Sequence, residues 1–119
     1  LNLFEEAARA YYKCIGLKDD RLEVYLALAD VLHFLGEFDE AIVVLMDARE
    51  AYKDQAEIIY RLAGMHILVQ KKKEGLFFFE SALKSDLDYL DVAKELYPTV
   101  IELNEVQLLI SKFKGLGES

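Results

Sequence analysis

The sequence predicts an all-α fold of helix pairs repeated along the chain, and three observations carry that prediction. Landmark residues recur at about 34 residues, the period of a helix–turn–helix repeat. Asp20, Asp54 and Asp88 keep that step, as do Glu23, Glu57 and Asp91, and Leu28, Leu62 and Leu96. Small residues hold the same phase at Ala7, Ala41 and Gly75, and bulky ones at Tyr11, Leu45, Phe79 and Phe113. Apolar residues inside each unit fall at helical spacing, which is the second observation. The third is composition: 54% hydrophobic residues with one proline in 119 favour helix and disfavour disorder.

Residues 2–16 read as one helix, with Leu3, Ala7, Tyr11 and Cys14 inward and Gly16 as its stop. Asp20 with Glu23 has capping-box spacing and opens the next helix, whose apolar face is Leu22, Tyr25, Leu28, Ala29 and Leu32. Gly36 ends it, and Phe38 to Tyr52 return antiparallel with Phe38, Ala41, Ile42, Leu45 and Ala48 inward. Asp54 and Glu57 repeat the cap, and residues 56–69 repeat the first helix. The following turn carries Lys71, Lys72 and Lys73 where glycine stood before. It reads as a solvated turn or as a small basic spot on an acidic protein. Residues 75–83 form the returning helix, and Asp88 with Asp91 opens a third unit.

Proline inside a helix costs about 3 kcal/mol, so Pro98 predicts a break near Tyr97, with residues 99–103 continuing as a separate turn or two. Asn104 with Gln107 is another capping-box spacing, so residues 105–114 are expected as a last helix. Gly115 should stop it, and Leu116 to Ser119 should fray.

These units resemble the tetratricopeptide repeat. The resemblance rests on Tyr25, Leu28-Ala29, Leu32, the turn Gly36-Glu37-Phe38-Asp39-Glu40-Ala41, Leu45 and Ala48. In the next unit it rests on Ile59, Leu62-Ala63, His66, Gly75, Phe79 and Ala82. The proline that usually closes a unit is replaced by Asp19, Lys53 and Leu87, and the third unit matches only at Leu96, Val100 and Phe113. The resemblance implies a right-handed α-solenoid of antiparallel helix pairs over residues 1–119. Residues 1–19 would be the second helix of a truncated repeat, 20–53 and 54–87 full repeats, and 88–119 a degenerate repeat with C-terminal capping helices. A chain that starts inside a helix without Met reads as a piece of a longer protein.

The resemblance also implies a scaffold that holds a peptide or protein in a concave groove. Its lining would be Glu23, Leu26, Ala27, Asp30, His33 and Phe34 from one unit, and Glu57, Tyr60, Arg61, Gly64, Ile67 and Leu68 from the next, with Lys94 and Glu95 beyond. Leu26 and Asp30 stand where a carboxylate-clamping groove would carry Lys and Asn, so that subgroup does not fit. The mixed apolar and acidic lining suits an amphipathic segment with basic residues. On the second helices, Val43, Val44, Met46, Phe77 and Phe78 leave little polar surface. A convex-face partner, self-association through Val43, Phe77 and Phe78, or neighbouring units would cover them.

A net charge of −8 disfavours nucleic acid and anionic membrane, both of which select basic surfaces. The single Cys14 rules out an internal disulfide and suits a reducing, cytoplasmic setting. It takes the place of Ala48 and Ala82, so it reads as a core thiol. His33 and His66 lack the spacing of a paired metal motif, and no glycine-rich phosphate loop is present. No catalytic residue, metal or cofactor is therefore expected. The competing function is a regulatory or structural helical segment of a larger enzyme or sensor.

Overall fold

The computed structural model describes residues 3–18 and 21–118, and every regular element among them is an α-helix. The helices fall into two compact units, Leu1–Asp54 and Gln55–Ser119. The helices that open at Leu22, Ala56 and Leu90 are evenly spaced along the chain, in step with the sequence repeat.

The first unit holds α1 (Leu3–Gly16), α2 (Leu22–Phe34) and α3 (Phe38–Tyr52), with α2 packed against both others. Its core is Val24, Leu28, Ala29 and Leu32 on α2 and Ala41, Val44, Leu45 and Ala48 on α3. The alanines let backbones approach, and the leucines fill the seam. Each fully buried leucine is worth about 1.5–3 kcal/mol of transfer free energy. Leu3 departs from expectation: it is exposed, and Ala8 is the buried residue of α1. The Tyr12 hydroxyl donates to Glu40 Oε2 at 2.8 Å, linking α1 to α3. Burial, and then Glu40, push its pKa up to about 12.

The α2–α3 turn follows from Gly36. Its φ of +79° lies in the left-handed region that glycine enters without a Cβ penalty. The Glu37 amide then donates to Leu32 O at 2.8 Å and the Gly36 amide to His33 O at 3.0 Å, satisfying carbonyls of the last turn. The same device recurs in the next repeat without glycine. Gln70 takes φ +69°, and the Lys71 amide donates to His66 O at 2.8 Å.

The second unit holds α4 (Ala56–Leu68), α5 (Lys72–Ser85), α6 (Leu90–Leu96), α7 (Pro98–Ile101) and α8 (Asn104–Glu118). The pair α4–α5 is its main seam, and α6 and α7 also pack on α4. The expected break at Pro98 is present. Tyr97 leaves helical geometry at φ −130°, ψ 57°, and Pro98 occupies the first turn of α7, where its missing N–H costs nothing.

Several local expectations are corrected. Arg21 stands at the N-cap of α2 without a side-chain cap bond, and Asp20, like Asn2, Asp19 and Ser119, lies outside the described residues. Gln55, not Asp54, is the N-cap of α4; Asp54 Oδ1 instead accepts from Arg49 Nε at 2.7 Å. Ahead of α6, Asp86 does the work expected of Asp88: its Oδ1 accepts from the Asp88 amide at 3.0 Å and the Tyr89 amide at 3.3 Å. Gln107 reaches back to Ile101 O at 2.7 Å. Helix α5 starts at Lys72 instead of Gly75, and Lys72 pairs with the Glu105 carboxylate of α8. That lysine holds the Glu105 carboxyl below the usual carboxylate range. Gly115 does not stop α8, which runs on to Glu118 through the segment expected to fray. Glycine ends a helix by turning left-handed, and Gly115 keeps helical geometry.

Candidate interaction surface

On α2, the predicted groove residues Glu23, Leu26, Asp30, His33 and Phe34 fall at spacings that share one helix face. Phe34 is 57% exposed, Glu23 is exposed, and Leu26, Ala27, Asp30 and His33 are half-buried. Phe34 stacks on His33 with ring centroids 5.3 Å apart and meets Phe4 of α1, itself 49% exposed, at 5.5 Å. His33 also meets Phe38 at 5.8 Å. The result is an aromatic patch open to solvent, with the Asp30 carboxylate beside it.

Burial lowers the His33 pKa below the ordinary value, and Asp30 opposes that only in part. A base whose folded pKa is depressed stabilises the fold fully above its unfolded value of about 6.5. That contribution is lost as pH falls from there toward the folded value. Urea midpoints should therefore drop more between about pH 7.5 and about pH 5 for the parent than for His33→Gln. Equal drops in the two proteins would contradict this account.

The corresponding face of α4 is arranged differently. Glu57 is half-buried, but Tyr60, Arg61, Gly64 and Ile67, also expected to line an open groove, are buried beneath the chain's own α6 and α7. The Tyr60 hydroxyl donates to Asp86 O at 2.7 Å, and its ring meets Phe79 edge-on at 5.8 Å and Tyr89 at 5.7 Å. Burial, then Asp86 and Asp88, raise its pKa far above the ordinary phenol value. Arg61 Nη1 donates to Glu57 O at 2.9 Å and to the Tyr89 hydroxyl at 2.8 Å. The Tyr97 ring lies over Gly64, so close that an added Cβ would fall 2.7 Å from two ring carbons. Farther along, Ile67 and Leu68 line a pocket of about 290 Å³ with Thr99, Val100 and Leu103.

The apolar residues of the second helices divide as well. Val43, Met46 and Phe77 are exposed, whereas Val44 belongs to the core and Phe78 is half-buried. His66 is half-buried, with Nδ1 2.7 Å from Leu62 O and its ring 5.1 Å from Phe78. Cys14 is half-buried and free. Among the described residues, no three His, Cys, Asp or Glu side chains converge as a metal set, and no helix is long and apolar enough to cross a membrane. Lys94 and Glu95 are exposed on α6.

A family model described as tetratricopeptide repeat matches residues 22–65, which span α2, α3 and most of α4. Over those residues the chain is similar to the tetratricopeptide repeat. A comparison with curated proteins finds no match, and neither does one with solved structures. Tetratricopeptide repeats generally mediate protein–protein interaction and generally act as scaffolds without catalysis of their own.

Sequence reasoning missed the part Tyr89 and Tyr97 play in covering α4. One signal was present. Tyr97 occupies the phase of Ala29 and Ala63, and a ring at a small-residue position needs space opposite it. Gly64 on α4 supplies that space, because glycine alone carries no Cβ.

Proposed function

We propose that this chain is a protein-interaction scaffold that holds a peptide or protein segment on the α2 face, without catalysis. The observation that supports it most is the solvent-open aromatic patch of Phe34, Phe4 and His33 with Asp30 beside it, and Glu23 farther back along the same face of α2. Aromatic rings supply contact area at low entropic cost. The carboxylates select against acidic segments and favour an amphipathic segment carrying Lys or Arg. A lone cysteine suits a cytoplasmic setting for such a role.

A peptide array read by fluorescence anisotropy tests this reading. Basic amphipathic peptides should bind, and both Asp30→Lys and Phe34→Ala should weaken them by about ten-fold or more, or about 1.4 kcal/mol. Helicity by circular dichroism should stay unchanged. Tyr60→Ala does not serve as a probe, because Tyr60 is buried and its truncation reads packing. Variants that bind as tightly as the parent would remove the α2 face from consideration.

A further inference from the structure

The first unit carries a second surface of interest, on a side that the α2 patch does not use. Where α1 and α3 flank α2 there is an open cleft of about 580 Å³, a size in the range of about 300–1,000 Å³ that ligand sites occupy. Tyr12 and Ile15 of α1, Tyr25 of α2, and Val44, Asp47 and Glu50 of α3 line it. Helical spacing turns Tyr25 away from Leu26, Asp30 and His33, so the cleft and the aromatic patch are separate. Both tyrosine rings are held in place. The Tyr12 hydroxyl donates to Glu40, and the Tyr25 ring meets Tyr52 edge-on at 6.4 Å. Tyr12 is nonetheless 42% exposed, which leaves ring surface open to a ligand.

The charge of the lining has one sign. Asp47 and Glu50 are both exposed, and among the described residues no Lys or Arg lines the cleft. Arg49, between them in sequence, pairs with Asp54 at 2.7 Å. Carboxylates beside tyrosine rings match a cation in two ways: ring faces attract positive charge, and carboxylates accept its hydrogen bonds. A guanidinium uses both at once, because its plane stacks on a ring while its fork of N–H donors meets a carboxylate. An acidic occupant would set like charge against Asp47 and Glu50, and a neutral one would leave them without a counter-charge. We infer that this cleft takes an arginine side chain presented by a partner protein. The source of the cation follows from the repeat: tetratricopeptide units, which the chain resembles from α2 into α4, generally mediate protein–protein interaction.

The test is a titration of the isotopically labelled chain, followed by amide NMR shifts at low ionic strength. The probes are the blocked peptide Gly-Arg-Gly, the same peptide with neutral citrulline in place of arginine, and spermidine. None carries an apolar stripe. The arginine peptide should shift the amides of Ile15, Tyr25 and Val44, and the citrulline peptide should leave them in place. The Asp47→Asn/Glu50→Gln double variant should bind the arginine peptide about five-fold or more weaker, and Tyr12→Leu about two- to five-fold weaker, the worth of an exposed cation–ring contact. Phe34→Ala, which removes the α2 patch, should change nothing in this titration. Undiminished affinity in the double variant would overturn the assignment, as would equal shifts from the citrulline peptide. Spermidine binding the same amides more tightly than the arginine peptide would give the cleft to a small polycation instead. Sedimentation showing a parent dimer that the double variant dissolves would give it to a second copy.

Discussion

Leu62→Ala lowers the free energy of unfolding by about 2–5 kcal/mol, and Leu28→Ala acts likewise in the other unit. Both side chains are 0% exposed. Truncation removes buried methyl groups and leaves a cavity that neighbouring helices close only in part, so the cost exceeds simple transfer from water. A domain's total stability is about 5–15 kcal/mol, so a loss of this size is a large fraction of it. Urea unfolding should show a lower midpoint at constant slope. Amide exchange should speed up in α4 and α5 for Leu62→Ala, and in α2 and α3 for Leu28→Ala. Leu62→Met, which nearly conserves volume, should cost less than about 1.5 kcal/mol. If Leu62→Ala changed stability by no more than its Met counterpart, the leucine would not hold the α4–α5 seam.

Gly75→Ala should destabilise the second unit by about 1–3 kcal/mol, although alanine is the better helix former. The competing terms can be ranked. Alanine gains about 0.8–1 kcal/mol over glycine from helix propensity. Against that, the new Cβ would sit 2.4 Å from Ile67 Cγ1, 3.0 Å from Ala63 O and 3.1 Å from the Ile67 amide nitrogen. Two of those atoms are backbone and cannot swing aside, so α5 must move off α4 and the clash wins. Gly115→Ala provides the control. It lies inside α8 with nothing within 4 Å of its Cβ position, so it should be neutral or stabilising by up to about 1 kcal/mol. Pairing Gly75→Ala with Ile67→Ala should recover part of the loss, a coupling of about 0.5–3 kcal/mol between touching residues. Additive losses would place the strain elsewhere.

Much of the fold was legible because it is written in spacing. Leu28, Leu62 and the small residues around them repeat in phase, and helical periodicity is a local property that neighbouring residues carry. Pro98 announced its break through its own covalent ring. The caps were less legible. Asp54 and Asp86 are both polar residues near a helix start, and sequence could not choose between capping and pairing with Arg49. That choice depends on where a long arginine side chain comes to rest. A lysine is unfavourable at a helix start, and nothing near Lys72 in the sequence announces its partner. Glu105 belongs to another helix and reaches Lys72 only when α8 packs beside α5.

The candidate surface divides along the same line. Glu23, Leu26, Asp30, His33 and Phe34 share a face because helical geometry puts them there, and the sequence is sufficient for that. Whether a face is open depends on what returns to cover it. Tyr89 and Tyr97 come back over Tyr60, Arg61 and Gly64, and no local pattern in α4 records them.

An all-helical repeat, its phase and the residues that share each helix face can all be read before folding, since they follow from intervals of a few residues repeated along the chain. Which of those faces meet water, and which charges meet across helices, emerge only with packing. Burial and local charge are sums over side chains distant in sequence, so they exist only once the helices have come together.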